Sequence, residues 1–412
     1  MENLKASEAQ RVILGAVATL GVESVKMERS LGRVLAEDIK ANRNLPPYDV
    51  SAMDGFAVRS VDIANTPATL ELIEEIQAGS LPTKTVQAGQ CSRIMTGAPV
   101  PQGADAVIRV EDSKVISTNS IQIAVAVKPG NFIRPHGEHM HTGDVVLKAG
   151  TEITPGVIGV LATVKAAQFS VYRRPCVAIL STGNELEGMD EPIDPNKIPD
   201  SNTYAVMAQV QALGIEPVLL GIARDDPAEL EEYLQRGLDY DMLLVSGGTS
   251  MGEYDYVRPC MEKLGVKMIF WRVQTRPGHP LTFGMTDKTV IFGLPGYPVS
   301  SMVSFEEFVL PALRHMTGNQ RLHRRTITAR LAHPVKTQPG RTEFIRVLLT
   351  HTDAGYVANT TGTQSSGVLL SMARADGLMV VPADCKGLAE GDQVTVQLLD
   401  GSAFQENVCY RE

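Results

Sequence analysis

Cysteine is scarce in this sequence and never closely paired. The five cysteines (Cys91, Cys176, Cys260, Cys385 and Cys409) are scattered and form no CxxC. That excludes a disulfide framework and a zinc-ribbon spacing, and it fits a reducing compartment. An excess of positive charge is also missing: 38 Lys and Arg face 47 Asp and Glu, a net charge of -9. Such a balance repels a phosphate backbone, so nucleic acid is not expected as a partner. Local clusters of Arg or backbone N–H groups can still bind a small anion. No apolar run reaches the roughly 18 residues that a membrane span needs. The opening MENLKASEAQRVILGAV has neither a basic n-region nor a cleavage site, so a signal peptide is not expected and a soluble, cytoplasmic protein is. Repeats and low-complexity tracts are lacking as well.

What is present is an ordinary globular composition, 43% hydrophobic over 412 residues, enough for roughly two to four domains. Residues 6–21 show helical apolar spacing. Residues 45–146 carry short β-rich runs between Pro/Gly turns, and TEITPGVIGVLATV predicts a return helix after them. From Tyr172 the texture changes. Apolar strands (PCVAILSTG, EPVLLGIA, DMLLVSGGTS, TVIFGLPG) alternate with helices (NTYAVMAQVQALG, PAELEEYLQRGL, DYVRPCMEKLG, VSSMVSFEEFVLPALRHM). This pattern predicts a mostly parallel sheet covered on both faces. Residues 324–412 return to short strands, as in a small barrel or sandwich. The expected fold is therefore multidomain α/β plus β.

In open parallel sheets ligands sit beyond the carboxyl ends of the strands. Four loops fall there: STGNEL (181–186), ARDDP (223–227), SGGTSMGEYDY (246–256) and GLPGYPVS (293–300). The glycines after Ser246, Gly247 and Gly248, let backbone N–H groups approach an anion, although a plain tight turn explains them equally well. Glu185, Asp225, Asp226 and Asp255 converge on one rim if the strand order is the usual one. Such carboxylates can bring Mg²⁺ to a phosphoanhydride. RDDP also reads as a helix start, with an Asp as N-cap and Pro227 at N1. FWRVQTRPGHP gathers Arg272, Arg276 and His279 in a shaped loop suited to an oxyanion. Upstream, Asp49 and Asp54 flank a small flexible stretch, and RIMTGAPVP has the same texture around Thr96. PHGEHMH places His136, His139 and His141 around Glu138, a set that could ligate Zn²⁺ but whose spacing in a loop makes no closed site.

Taken in order, PPYDVSAMDGFAV, RIMTGAPVPQGADAV, NFIRPHGEHMHTGDVVL, STGNEL, DSNTYAV, RDDP, SGGTSMGEYDY, RPGHP, GLPGYPVS, PGRTEF and TGTQSS…SMARADGLMVVP closely resemble the molybdopterin molybdenumtransferase family, which includes the E domain of gephyrin. The resemblance covers nearly the whole chain. It implies a split N-terminal or linker domain (1–44 and 147–172), a β-rich insertion domain (45–146), a molybdopterin-binding α/β domain (173–323) and a C-terminal β-barrel (324–412). It further implies a homodimer whose cleft is shared between subunits, with the molybdopterin adenylyltransferase as a partner.

By position, the resemblance assigns catalytic roles to Asp54, Thr96, Glu185, Asp225 and Asp255, the last three also as Mg²⁺ ligands. It assigns substrate binding to Ser246, Gly247, Gly248, Arg272, Arg276, His279, Pro295, Gly296, Pro298, Ser300, Arg341 and Ser366. The implied reaction inserts molybdate into molybdopterin-AMP and releases AMP. Three departures from the family pattern stand out. KPGKP is RPGHP here, GED is GEH at His139, and STGDE is STGNE at Asn184. A binding or scaffold protein with weakened catalysis, a tungstate-preferring paralogue and an adenylyl-transferring enzyme remain alternatives.

Overall fold

The computed structural model of the protein describes residues 3–248 and 256–399. The chain forms two compact units, one of residues 1–36, 150–153 and 170–412, the other of residues 37–149 and 154–169. The second unit is the β-rich insertion. Its six-stranded sheet runs Ala106–Arg109, Gly55–Val58, Gln90–Ile94, Ala68–Ile76, Ser120–Ile123 and Ser113–Ser117 in spatial order. Period-2 alternation fills both faces, with Phe56 and Val58 in one apolar cluster and Ala57 in another. The return helix Pro155–Thr163 begins where Thr154 Oγ1 accepts the Val157 N–H, with Pro155 at the first helical position.

In the first unit, helix α1 (Ala6–Ala16) precedes the α/β region. That region comprises β1 (Val177–Thr182), α2 (Ser201–Gln211), β2 (Val218–Ala223), α3 (Pro227–Gly237), β3 (Met242–Ser246) and α4 (Val257–Lys263). It continues with β4 (Lys267–Phe270), β5 (Thr282–Met285), β6 (Val290–Leu294), α5 (Pro298–Ser304) and α6 (Leu310–Met316). The sheet order is β2-β1-β3-β6-β5-β4. The first four strands are parallel, and β5 and β4 add antiparallel. β1 and β3 are buried at every position, as strands covered on both faces must be. Ala9, Ile13 and Val17 join Ile179, Leu244, Phe292, Phe305 and Phe308 in the core of one face, so α1 is one of its covering helices.

The C-terminal strands β7 (Thr326–Leu331), β8 (Thr342–Thr352), β9 (Gly355–Thr360), β10 (Gly377–Val381) and β11 (Gln393–Leu398) close on themselves. The order β8-β9-β7-β11-β10 is completed by pairing of β8 with β10, making a five-stranded barrel. Closure leaves no free edge.

Three expectations change. The helix expected over residues 6–21 stops at Ala16, because Val17 is extended and the Leu20 N–H bonds to the Met316 carbonyl at 2.8 Å. The long helix over residues 299–316 contains a π-helical stretch at Phe305–Val309. Pro311 has no N–H to give to the Glu307 carbonyl four residues back, and the helix widens there. The edge strands β4 and β5 were not anticipated, since their short runs flank the Arg-rich loop. Among the described residues no helix is long and apolar enough to cross a membrane.

Candidate active site

The four parallel strands of the sheet end side by side. Register pairs Thr182 with Ala223, Ser181 with Ser246, and Ser246 with Leu294. The segments that follow, starting at Gly183, Arg224, Gly247 and Pro295, therefore leave the sheet along one rim. There a cleft of about 690 Å³ is lined by Glu185, Gly247, Gly248, Pro295, Gly296, Pro298 and Ser300 from the sequence-derived set. Asp200, Asn202, Tyr297 and Gly367 complete much of the wall.

The two glycines after β3 are dictated by space as well as by backbone. Gly247 has φ +92 and a Cβ there would lie 2.4 Å from the Thr182 carbonyl oxygen. Gly248 has φ +58 and a Cβ would meet Val257 Cγ2 at 2.4 Å. Only glycine fits both demands, which leaves bare backbone facing the cleft. Asn202 ties this rim together, since its Nδ2 donates to Ser246 Oγ and to the Gly296 carbonyl, each at 2.8 Å. The α2 start is set by Asp200, whose carboxylate accepts from Thr203 N–H and Oγ1.

On the carboxylate side, Asn184 and Asp225 clasp each other. The Asn184 N–H donates to Asp225 Oδ2 at 3.1 Å, and the Asp225 N–H donates to Asn184 Oδ1 at 3.2 Å. This gives the Asn of STGNE a definite task, holding the 183–185 turn against RDDP. Asp226 is the N-cap of α3, accepting from the Ala228 and Glu229 N–H groups. The two neighbouring aspartates thus divide into a structural cap and a half-buried carboxylate at the rim. Asp255 lies outside the described residues. Glu185 and Asp225 supply hard oxygen donors of the type that suits Mg²⁺.

Arg272 and Arg341 set a cationic field around His279. Burial holds the His279 imidazole below its ordinary range, and the charges of Arg341 and Arg272 push the same way. His279 Nδ1 lies 2.7 Å from the Val273 carbonyl. A neutral ring must donate there, leaving Nε2 as a lone pair. Among the described residues neither the Arg272 nor the Arg341 guanidinium makes a hydrogen bond or ion pair. Arg276 is differently employed: it reaches Glu343 at 3.2 Å and Gln338 at 2.7 Å, and Thr275–Arg276 pairs with the start of β8. Ser366 accepts the Val299 N–H through its carbonyl, anchoring the first turn of α5.

Arg346 is a site-adjacent residue that sequence reasoning passed over. It is 1% exposed, and its guanidinium holds Ser371 Oγ and the Ser365 carbonyl at 3.2 Å each. Burial lowers its pKa to about 10, still high enough for a full charge at neutral pH. The signal was there, a lone Arg inside the apolar EFIRVLL run of β8. Asn202 stands within DSNTYAV, one of the motifs that carry the resemblance, but helical spacing alone gives it no role at the rim.

In the insertion unit, Asp54 and Thr96 are brought together at the ends of the antiparallel pair Gly55–Val58 and Gln90–Ile94. Asp54 Oδ1 accepts the Thr96 N–H at 2.7 Å and its hydroxyl at 2.8 Å. These two bonds, with the charge of Arg93, hold the Asp54 carboxyl below the usual carboxylate range. Asp49 accepts the His136 N–H at 2.7 Å. The histidines of PHGEHMH are occupied separately, His136 with Asn44 and His141 with Asp144. No group of three or more His, Cys, Asp or Glu side chains that could hold a metal occurs among the described residues.

Comparison with known proteins agrees along the chain. Residues 4–164 match the MoeA N-terminal region (domain I and II), residues 178–315 a probable molybdopterin binding domain, and residues 328–399 the MoeA C-terminal region (domain IV). A molybdopterin molybdenumtransferase of Nostoc sp. is 37% identical, over 91% of this chain and 88% of its own. One from Bacillus subtilis is 35% identical, over 94% and 93%. The crystal structure of a molybdopterin biosynthesis moeA protein from Pyrococcus horikoshii superposes with a TM-score of 0.83 at 30% identity, over 96% of this chain and 100% of that one. The chain belongs to the molybdopterin molybdenumtransferase family.

Proposed function

We propose that this chain transfers molybdate to adenylylated molybdopterin and releases AMP, completing the molybdenum cofactor. The observation that carries the reading is the single rim on which Gly247, Gly248, Pro295, Gly296, Glu185 and Asp225 meet. Bare backbone at Gly247 and Gly248 suits the phosphates of the substrate. Arg272 and Arg341, cations with no partner among the described residues, suit an oxyanion. Neutral His279 offers that oxyanion no donor, so its contribution belongs to the protonated ring. Glu185 and Asp225, with Asp255, would hold Mg²⁺. The ion supplies charge neutralisation at a phosphoanhydride as it breaks. Asn184 keeps Asp225 oriented, and Arg346 keeps the 365–371 loop against the cleft.

The same reading assigns Asp54 and Thr96 to the site of a partner subunit in a homodimer. It keeps the four-domain division 1–44 with 147–172, 45–146, 173–323 and 324–412. It also makes the molybdopterin adenylyltransferase, the enzyme class that supplies the substrate, a neighbour in the cytoplasm. Purified protein given molybdopterin-AMP, Mg²⁺ and molybdate is expected to release AMP in step with metallated pterin. Binding of molybdopterin-AMP with no AMP released would favour the scaffold alternative, and consumption of ATP would favour adenylyl transfer. Replacing molybdate by tungstate in the same assay ranks the two oxyanions.

A further inference from the structure

A second cavity, of about 410 Å³, lies apart from the strand-end cleft, where α1, the π-helical stretch and the barrel meet; Lys5, Gln10, Gln274, Glu307, His323 and Gln397 are among its lining residues. Three observations single it out. The first is the backbone. Because Pro311 leaves the Glu307 carbonyl without its helical donor, Gln10 Nε2 donates to it instead at 2.9 Å, and the widened turn carries the Glu307 side chain inward. Such π turns collect at functional sites.

The second observation concerns the carboxyl of Glu307. It is only 5% exposed, and its one hydrogen bond among the described residues is a long one, 3.5 Å from Gln397 Nε2. Neighbouring Glu306 is served quite differently, by Arg324 and Gln209 at 2.8 Å each. The third is Gln397 Oε1, buried with no hydrogen-bond partner among the described residues. A weakly served carboxyl and an amide oxygen without a donor therefore border one half-open cavity, an arrangement that a ligand with N–H donors would satisfy once the carboxyl is ionised.

We propose that this cavity binds a small guanidinium-bearing molecule whose N–H fork serves the Glu307 carboxylate and the Gln397 carbonyl together. A planar fork suits a carboxylate beside a second acceptor better than an ammonium does. In the unliganded protein, burial pushes the Glu307 carboxyl up to about 8, Glu306 adding to the effect, so the group is protonated at neutral pH. The charged groups facing it are Glu306, which Arg324 neutralises, Lys5 on the N-terminal side, which forms no ion pair with it, and His323, held toward neutrality by burial. Entry of the cation favours the ionised carboxyl, so the proton leaves to solvent as the ion pair forms.

Titration calorimetry of the whole protein with ethylguanidinium chloride, in two buffers of different ionisation heat, tests this. Saturable binding is expected, releasing close to one proton per site near neutral pH and almost none by about pH 9.5. Ethylammonium is expected to bind at least about tenfold more weakly. Glu307→Gln should keep its circular dichroism and AMP release but lose the proton release and at least about tenfold in affinity. Absence of saturable binding by the wild-type protein, binding without proton release near neutral pH, or equal affinity for ethylammonium would each overturn the proposal. The wild-type measurements decide it even where the variant does not fold.

Discussion

At the scale of single residues, His279 turns a sequence departure into a measurable pH effect. Burial and the two guanidiniums favour its neutral ring, so protonation comes only below the ordinary imidazole range. An oxyanion stabilises the protonated form, and its affinity therefore rises as pH falls through that range. The molybdate concentration giving half the maximal rate should fall on acidification in the wild-type protein, and His279→Lys should flatten the profile. Parallel profiles for the two proteins would remove His279 from the oxyanion site. Gly248 is the steric counterpart. An alanine there meets Val257 with φ at +58, which is expected to cost about 1–3 kcal/mol, read as a lowered denaturation midpoint together with weaker binding of molybdopterin-AMP.

At the scale of elements, much of the fold was legible. Strand–helix alternation after Tyr172 announced the parallel sheet, and RDDP announced the α3 cap. Asp226→Ala should lose about 0.5–2 kcal/mol in chemical denaturation while AMP release is unchanged. A fall in AMP release matching that of Asp225→Ala would mean that the two aspartates do not divide the work. What periodicity could not show was set by long-range partners. Leu20 ends the α1 region by bonding to Met316, and Pro311 opens the π turn. Arg346 stands out as a lone Arg in EFIRVLL, but its task was not legible, because its partners come from the 365–371 loop that closes over it. Arg346→Met is expected to raise hydrogen exchange across residues 364–371 and to raise KM more than it lowers kcat. Unchanged exchange in that loop would make Arg346 a barrel residue only.

At the scale of the whole molecule, the order of motifs along the chain carried the family, and the strand register explains why four scattered loops share one rim. Composition could not reveal which lining residues would be free. Arg276, in the middle of RPGHP, is committed to Glu343, whereas Arg341, far along the chain, joins His279. The units also have separate apolar cores, so calorimetric unfolding is expected to show more than one transition; a single two-state peak would show that they unfold together. The most direct test of the strand-end site separates binding from chemistry in Asp225→Asn. Molybdopterin-AMP should bind that variant within about threefold of wild type, while AMP release at saturating molybdate falls by at least about a hundredfold. Wild-type AMP release by Asp225→Asn would contradict the account.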